Sequence, residues 1–222
     1  MAEPSSPFLP MLIAWGQHQV DQHLRVVAPF PTDILEKLGP TDSWPTDLRE
    51  GLVNHVFPYS VLSMDWSLTL LDVVTLTLGA IKTDSQRQAG LRFLKALLEI
   101  GANPNRFNGQ VTPVGYAGYS YQADVLALFE SHGADLAVSL APEHAGRSGL
   151  ALTTLLHRMG QRFHPRHLRK HPQAQATIER LARARGSIQV DENGFTVIND
   201  PLVDPWFRQQ VAGQLTPIPS QP

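Results

Sequence analysis

The fold is decided by Thr112-Pro-Val-Gly-Tyr-Ala-Gly118 together with Val125-Leu-Ala-Leu-Phe-Glu-Ser-His-Gly133-Ala134. A threonine can cap the start of a helix, and Pro113 fits the first helical position because its missing amide would have no partner there. The second part has apolar residues at helical spacing and stops at a glycine, which readily takes the left-handed conformation that ends a helix. The stretch therefore predicts two short helices, one beginning after Thr112 and one ending before Gly133.

Both parts recur on either side of this stretch. The closing part matches Phe93-Leu-Lys-Ala-Leu-Leu-Glu-Ile-Gly101 and Ile178-Glu-Arg-Leu-Ala-Arg-Ala-Arg-Gly186, and the opening part matches Thr69-Leu-Leu-Asp72 and Thr154-Leu-Leu-His157. Self-similarity of this kind indicates stacked helical repeats. The threonine-to-glycine interval is 21 residues in the middle unit and 32 in each outer unit. We expect the additional residues of the outer units either to lengthen their helices or to form a loop.

These parts resemble the two halves of an ankyrin repeat, Thr-Pro-Leu-His and Leu-Leu-x-x-Gly-Ala. The middle unit departs from the family at three positions. Tyr121 stands where the family usually has a glycine, Gly115 replaces the usual histidine, and Glu130 falls at an apolar position. The resemblance implies a helical solenoid that binds folded partners through its fingers and its concave row of helices. The residues that match are Gly109, Thr112, Pro113, Ala117, Val125, Leu128, Phe129, Gly133, Ala134 and Asp135.

We predict a mostly α-helical chain, a short ankyrin-like helical-repeat solenoid with an N-terminal helical cap and a C-terminal β-hairpin. A cap is needed because an end repeat would otherwise expose an apolar face. Within the cap the best helix candidates are Leu12–Val26 and Asp47–Val56, and alternation around Asn193-Gly194 predicts a two-residue hairpin turn. The predicted divisions are a cap at 1–64, repeats at 65–187 (units 65–104, 105–136 and 150–187), a hairpin and short helix at 188–212, and a flexible tail at 213–222.

Charge is distributed unevenly along the chain. The net charge is -2, yet residues 146–186 contain nine arginines and lysines and one acidic residue, Glu179. The most apolar stretch, Val61–Ile81, contains Asp65 and Asp72, and the N-terminus lacks the basic start of a signal peptide. We therefore expect no membrane segment and a cytoplasmic location.

The sequence contains no convincing catalytic pattern. His164, His167 and His171 could share a helix face and bind zinc, but prolines interrupt that stretch and its cations would repel a metal ion. Ser148 and His157 lack the Gly-x-Ser-x-Gly context of a catalytic serine. Cysteine is absent, and no glycine-rich phosphate loop occurs. We predict a protein that is not an enzyme and has no cofactor or metal.

The resemblance also implies where a partner binds. Tyr116 and Tyr119 occupy concave positions of the middle unit, where tyrosines are common binding anchors, although they could instead pack beneath the fingers. The equivalent positions in the first unit are Val73, Leu76 and Thr77, so we expect the concave face to change from apolar through aromatic to cationic. The predicted partner-binding residues are Arg106, Phe107, Asn108, Tyr116, Tyr119, Arg147, Arg158 and Arg162.

The finger before the middle unit holds Phe107 between Arg106 and Asn108. A phenylalanine at the tip of a turn is poorly buried by local contacts, so we expect it to meet a partner. The alternative is that Phe107 folds back on Trp66.

Three functions follow from these observations, in decreasing order of support. The first is a protein-binding module that blocks a partner with an acidic surface patch, for example a bacterial toxin-neutralising immunity protein, through the cations of residues 146–186. The second is a nucleic-acid-binding protein that uses the same segment. The third is a His-dependent metal hydrolase.

Overall fold

The computed structural model describes residues 6–22, 28–61, 64–81, 83–108 and 112–136, six residues between 173 and 181, and the backbone of two strands at 188–190 and 196–198. The described chain is mostly helical. Seven α-helices are described over their full length, together with two small antiparallel strand pairs.

Three α-helices come first in the chain, separated by proline-containing segments. They are α1 at Phe8–Asp21, α2 at Thr32–Leu38 and α3 at Thr46–Asn54, with a 3-10 turn at Thr41–Ser43. α1 begins four residues before the predicted Leu12–Val26, because Pro10 lies in its first turn, where a missing amide breaks no helical bond. The end of that prediction, residues 23–26, lies outside the described residues. The predicted helix Asp47–Val56 corresponds to α3.

A β-hairpin that the sequence did not lead us to expect follows α3. β1 is Val56–Val61 and β2 is Met64–Thr69, and the two strands pair antiparallel. Their side chains alternate between an exposed face and a buried face that includes Phe57 and Leu68. Pro58 lies within β1, which pairs only with β2 among the described strands, and an edge strand tolerates a residue without an amide hydrogen. The N-terminal region is therefore not purely helical.

Two helix pairs follow the hairpin. They are α4 at Leu70–Ala80 with α5 at Asp84–Glu99, and α6 at Pro113–Tyr119 with α7 at Ala123–Ser131. α4 has 11 residues where α6 has 7, and α5 has 16 where α7 has 9. The connection within each pair is the same length. The additional residues of the first unit therefore lengthen both helices and form no loop.

Both pairs have the caps that the sequence predicts. The hydroxyls of Thr69 and Thr112 accept hydrogen bonds from the backbone amides three residues later, at 3.3 Å in each case. Gly101 and Gly133 follow α5 and α7 with φ of 100° and 78°. Tyr121 follows α6 with φ of 54°, in the left-handed region that glycine adopts most readily. The first helix of this pair therefore also ends in a left-handed residue.

A half-buried arginine links the two pairs. Arg87 donates from Nε and Nη2 to the two carboxylate oxygens of Asp124, at 2.8 and 2.5 Å, and from Nη1 to the Leu78 carbonyl at 3.3 Å. Burial pushes the pKa of Asp124 upward, but the hydrogen bonds and charge of Arg87 outweigh it and hold that pKa below its ordinary value. One side chain thus joins α4, α5 and α7.

Part of the third predicted unit packs onto this assembly. Ala174, Thr177 and Leu181 have no exposed surface, and their spacing is that of one helix face. The Arg180 guanidinium forms an ion pair with the Glu130 carboxylate of α7. Glu130, the polar residue at an expected apolar position, therefore has a cationic partner in the following unit.

A second strand pair lies where the C-terminal hairpin was predicted. β3 at Ile188–Val190 and β4 at Thr196–Ile198 are antiparallel, with Val190 opposite Thr196. This register leaves five residues between the strands in place of the predicted two-residue turn. The other predicted features of this half lie outside the described residues: the cap at Thr154, the stop at Gly186, the helix near 205–212 and the tail at 213–222.

Candidate protein-binding surface

Three neighbouring segments form one edge of the described helix pairs. We call them the finger row: the β1–β2 hairpin, the loop Asn103–Asn108 and the turn Gly133–Asp135. The Ser67 amide of β2 donates to the Asn108 carbonyl at 2.9 Å, which joins the first segment to the second. The finger row is therefore connected by hydrogen bonds across segments that are distant in sequence.

Asn105 connects the second segment to the third. Its side-chain oxygen accepts from the Asp135 amide at 2.7 Å, and its Nδ2 donates to the Gly133 carbonyl at 3.2 Å. Its own backbone amide donates to Asn103 Oδ1 at 2.9 Å. Because Asn105 is exposed, these bonds order the loop without filling the core.

Arg106 ties the loop back to the hairpin. Its Nη1 donates to the Ser67 carbonyl at 2.9 Å. The side chain is half-buried, and no carboxylate among the described residues lies within salt-bridge distance of it. Arg106 therefore keeps donor capacity for a ligand or a partner.

A buried carboxylate lies directly behind the finger row. Asp72 Oδ2 accepts from the amide and the hydroxyl of Thr69, both at 2.7 Å, and Oδ1 accepts from Asn108 Nδ2 at 3.4 Å. Burial raises the pKa of Asp72 to about 6, although these bonds and the charge of Arg106 favour the ionised form. Asp72 thus links the start of α4 to the finger loop. Its ionised form is a buried charge, which is unfavourable.

Three aromatic rings complete the support of the finger row. The Tyr116 hydroxyl accepts from Asn108 Nδ2 at 2.6 Å, and the Tyr116 ring stacks on Trp66 with centroids 5.9 Å apart. Trp66 meets Tyr59 edge to face at 5.9 Å across the hairpin. Burial, followed by the negative charge of Asp72, raises the pKa of Tyr116 above its ordinary value, so the phenol stays protonated.

The structure places the predicted partner-binding residues in different environments. Arg106 and Phe107 are half-buried on the finger loop, whereas Asn108 and Tyr116 are 2% and 4% exposed. The position of Tyr116 fits the packing alternative, since its hydroxyl and ring are both engaged beneath the fingers. The remaining predicted features lie outside the described residues: the side chain of Tyr119, and Arg147, Arg158 and Arg162.

The expected concave face is not open in the first unit. Val73 and Thr77 have no exposed surface, and Leu76 is half-buried. α4 is enclosed because it contacts α1 and α3 in addition to α5 and α6. The prediction of an open, apolar concave surface in the first unit is therefore wrong at Val73 and Thr77.

Sequence reasoning missed two residues that organise this edge. The first is Asp72. The run Thr69-x-x-Asp72 has the spacing of a capping box, in which each side chain bonds the other's backbone amide. Asn105 lies in the run Asn103-Pro104-Asn105, a composition typical of ordered turns. Both signals were local and could have been used.

Within the ranges that the structure covers, no group of three His, Asp or Glu side chains could hold a metal ion. No helix in the same part of the chain has the length and apolar character needed to span a membrane. His164, His167 and His171 lie outside it. No protein-family model, curated protein or solved structure matches the chain.

Proposed function

We propose that this protein is an ankyrin-like binding module that acts by holding another protein and not by catalysis. The observation that carries the proposal is the finger row, in which Asn105 donates to Gly133 and accepts from Asp135, and Arg106 donates to Ser67, in the free chain. Loops that are already ordered lose less conformational entropy on binding. A row of ordered, exposed loops therefore suits recognition of a folded partner.

The two described helix pairs support an ankyrin-like arrangement. They have the same threonine caps, the same left-handed stops and connections of equal length. Stacked repeats bury a shared core and present their turns along one edge, which is how the finger row is placed.

We propose further that the partner carries an acidic surface patch. Nine cations fall within residues 146–186, and complementary charge speeds association and favours a particular partner. A bacterial toxin-neutralising immunity protein in the cytoplasm is the concrete form we favour, because a small dedicated binder can block a toxin simply by covering its working surface.

Affinity purification of the full chain, followed by gel filtration, tests this function. We expect one protein partner that co-elutes at a fixed stoichiometry. Arg158→Glu and Arg162→Glu should each weaken the complex by about tenfold or more at low salt, since reversal turns attraction into repulsion. Lys37→Glu, which reverses an exposed cation of α2, is the matched control and should change affinity little.

Two results would count against the proposal in different ways. Unchanged affinity in both arginine variants would remove residues 146–186 from the interface. Failure to recover any protein partner from the cells that make this chain would remove the protein-binding function itself.

Nucleic-acid binding is a second candidate, favoured by the same concentration of cations. Neutralising several phosphates would release counterions and give an affinity that falls steeply with salt. A gel-shift titration with duplex DNA and single-stranded RNA measures this directly. Absence of a shift at low ionic strength eliminates the candidate.

A further inference from the structure

A groove runs along α3 toward the finger row. Two cavities of about 290 Å³ each share Val53 and Asn54 in their walls, so they lie side by side. One continues to Arg106 at the finger loop, and the other continues along α3 to Thr46. We call the two cavities together the α3 groove.

The finger end of the α3 groove is cationic. Arg106 lines it together with the side chains of Asn54 and Asn103, and no acidic residue is among its lining residues. One N–H group of Arg106 donates to the Ser67 carbonyl. A guanidinium has further N–H groups in a planar fork that matches a carboxylate. This half of the groove therefore suits an acidic side chain.

The other end of the α3 groove is balanced in charge and has two aliphatic lining residues. These are Val53 and Ile100, while Arg49 and Glu50 contribute opposite charges. This half suits an aliphatic side chain.

We propose that the α3 groove binds an extended segment of the protein partner, with an acidic side chain against Arg106 and an aliphatic side chain between Val53 and Ile100. The inference rests on the proposed protein-binding function and adds a second surface to it. α3 has nine residues and is about 14 Å long, so four to five residues of extended chain, at about 3.3 Å each, run along it.

Charge decides between this occupant and the alternatives. A basic segment would place its cation against Arg106 in a cavity without acidic lining residues. A nucleic-acid strand would bring a phosphate at every step, but Arg106 is the one cation among the lining residues of the finger end, and Glu50 offsets Arg49 at the other end. A peptide that alternates acidic and aliphatic side chains matches both halves.

The full chain is first used to select binders from a phage-displayed library of random peptides about twelve residues long. Peptides of this length can bind in an extended conformation along the groove. We expect enriched peptides to contain an aspartate or glutamate a few residues from a valine, isoleucine or leucine. Fluorescence polarisation of the most enriched peptide then gives its affinity for each variant.

Two variants of the groove are compared with one control. Arg106→Gln should weaken the peptide about tenfold or more, and so should Val53→Glu, which places a charge where we propose that the aliphatic side chain binds. Arg92→Gln removes an exposed arginine of α5 that lines a different cavity, and it should leave affinity within about twofold. Thermal unfolding of each variant checks that it is folded, because Arg106 also bonds Ser67.

Enriched peptides without acidic residues would overturn the proposal. So would acidic peptides whose affinity is unchanged in both Arg106→Gln and Val53→Glu, or equally lost in Arg92→Gln. Binding of an oligothymidine that is lost in Arg106→Gln would assign the groove to nucleic acid. A natural partner whose binding needs Arg158 and Arg162 but neither Arg106 nor Val53 would remove the groove and leave the protein-binding function intact.

Discussion

The helix pairs α4–α5 and α6–α7 share their caps and the length of their connection but differ in helix length and in what packs on them. α4 contacts α1 and α3, and α5 contacts α2, so the longer pair carries all three N-terminal helices. Phe30 illustrates this: its ring lies beside Gly90 of α5 and Leu78 of α4, near the turn that joins them. The additional residues of α4–α5 lie at this end of the pair, and α6–α7 has no equivalent of them.

One helix pair is longer than the other, yet the caps at the ends of the two pairs are the same. The caps at the finger end depend on hydrogen bonds between residues a few positions apart. The length of the helices depends on which other segments pack against them. The longer pair is enclosed by the N-terminal helices, whereas the shorter pair has helices of only seven and nine residues. Three experiments test this contrast, from the largest expected change in stability to the smallest.

The largest difference is expected in the core. Phe93 of α5 and Phe129 of α7 are both fully buried, and truncating a buried phenylalanine costs about 3 to 5 kcal/mol. Phe93 also meets the rings of Trp15 and Phe30, with centroids 5.7 and 6.5 Å away. We expect Phe93→Ala to lower the free energy of unfolding by about 1 kcal/mol more than Phe129→Ala, because aromatic pairs add to area burial.

Denaturant titration of the two variants measures this difference. A larger loss in Phe129→Ala would mean that the N-terminal helices contribute little to the longer pair.

The next difference is a loss of stability with rising pH, which we expect from Asp72 of the longer pair and from no equivalent residue of the shorter one. Asp72 stands at the third position of α4, where α6 has Gly115. The pKa of Asp72 is raised from 3.8 to about 6 in the folded chain, so the folded state binds a proton more tightly than the unfolded one. Its contribution therefore destabilises the fold as pH rises from about 4 to about 6, by up to about 3 kcal/mol.

Asp72→Asn isolates this contribution. The free energy of unfolding of the variant minus that of the parent chain should increase through the same pH range and then level off. Subtraction is necessary because Glu99 and Asp124 have lowered pKa values and act in the opposite direction, losing stability as pH falls. A difference that is flat from pH 4 to pH 6 would contradict the prediction.

The smallest effect concerns what the two pairs share. Gly101 and Gly133 have positive φ, and a Cβ added at either would meet nothing within 4 Å. Gly101→Ala and Gly133→Ala should each cost about 1 to 2 kcal/mol, from the backbone conformation alone. The two losses, measured by thermal and denaturant unfolding, should be equal within error. A clear inequality would show that the helix ends are not equivalent.

Much of the helical framework could be predicted from local signals. Thr69 and Thr112 cap helices, and Gly101 and Gly133 end them, because each cap is made by atoms of adjacent residues. The β1–β2 hairpin was missed because Pro58 argues against a strand. The alternation of Phe57 and Tyr59 with Pro58 and Ser60 was the competing signal for a strand. The strand forms despite Pro58 because β1 lies at an edge, where a missing amide hydrogen is tolerated.

The candidate binding edge was predicted only in part. Arg106 and Phe107 lie on the finger loop as expected, but Tyr116 lies beneath it, bonded to Asn108. A sequence gives the same tyrosine whether a neighbouring segment covers it or not. The α3 groove, which depends on how α3 lies against the end of α5, had no sequence signal at all.

Neighbouring residues and their conformational preferences set where each helix pair begins and ends and that the two pairs differ in length, so these features could be predicted from the sequence. The packing of distant segments set that the additional length lies in the helices, that α4 is enclosed, and that Asp72 is a buried carboxylate shared by a helix cap and a finger loop. Burial, and the pKa shift that follows from it, depend on which distant segments pack together.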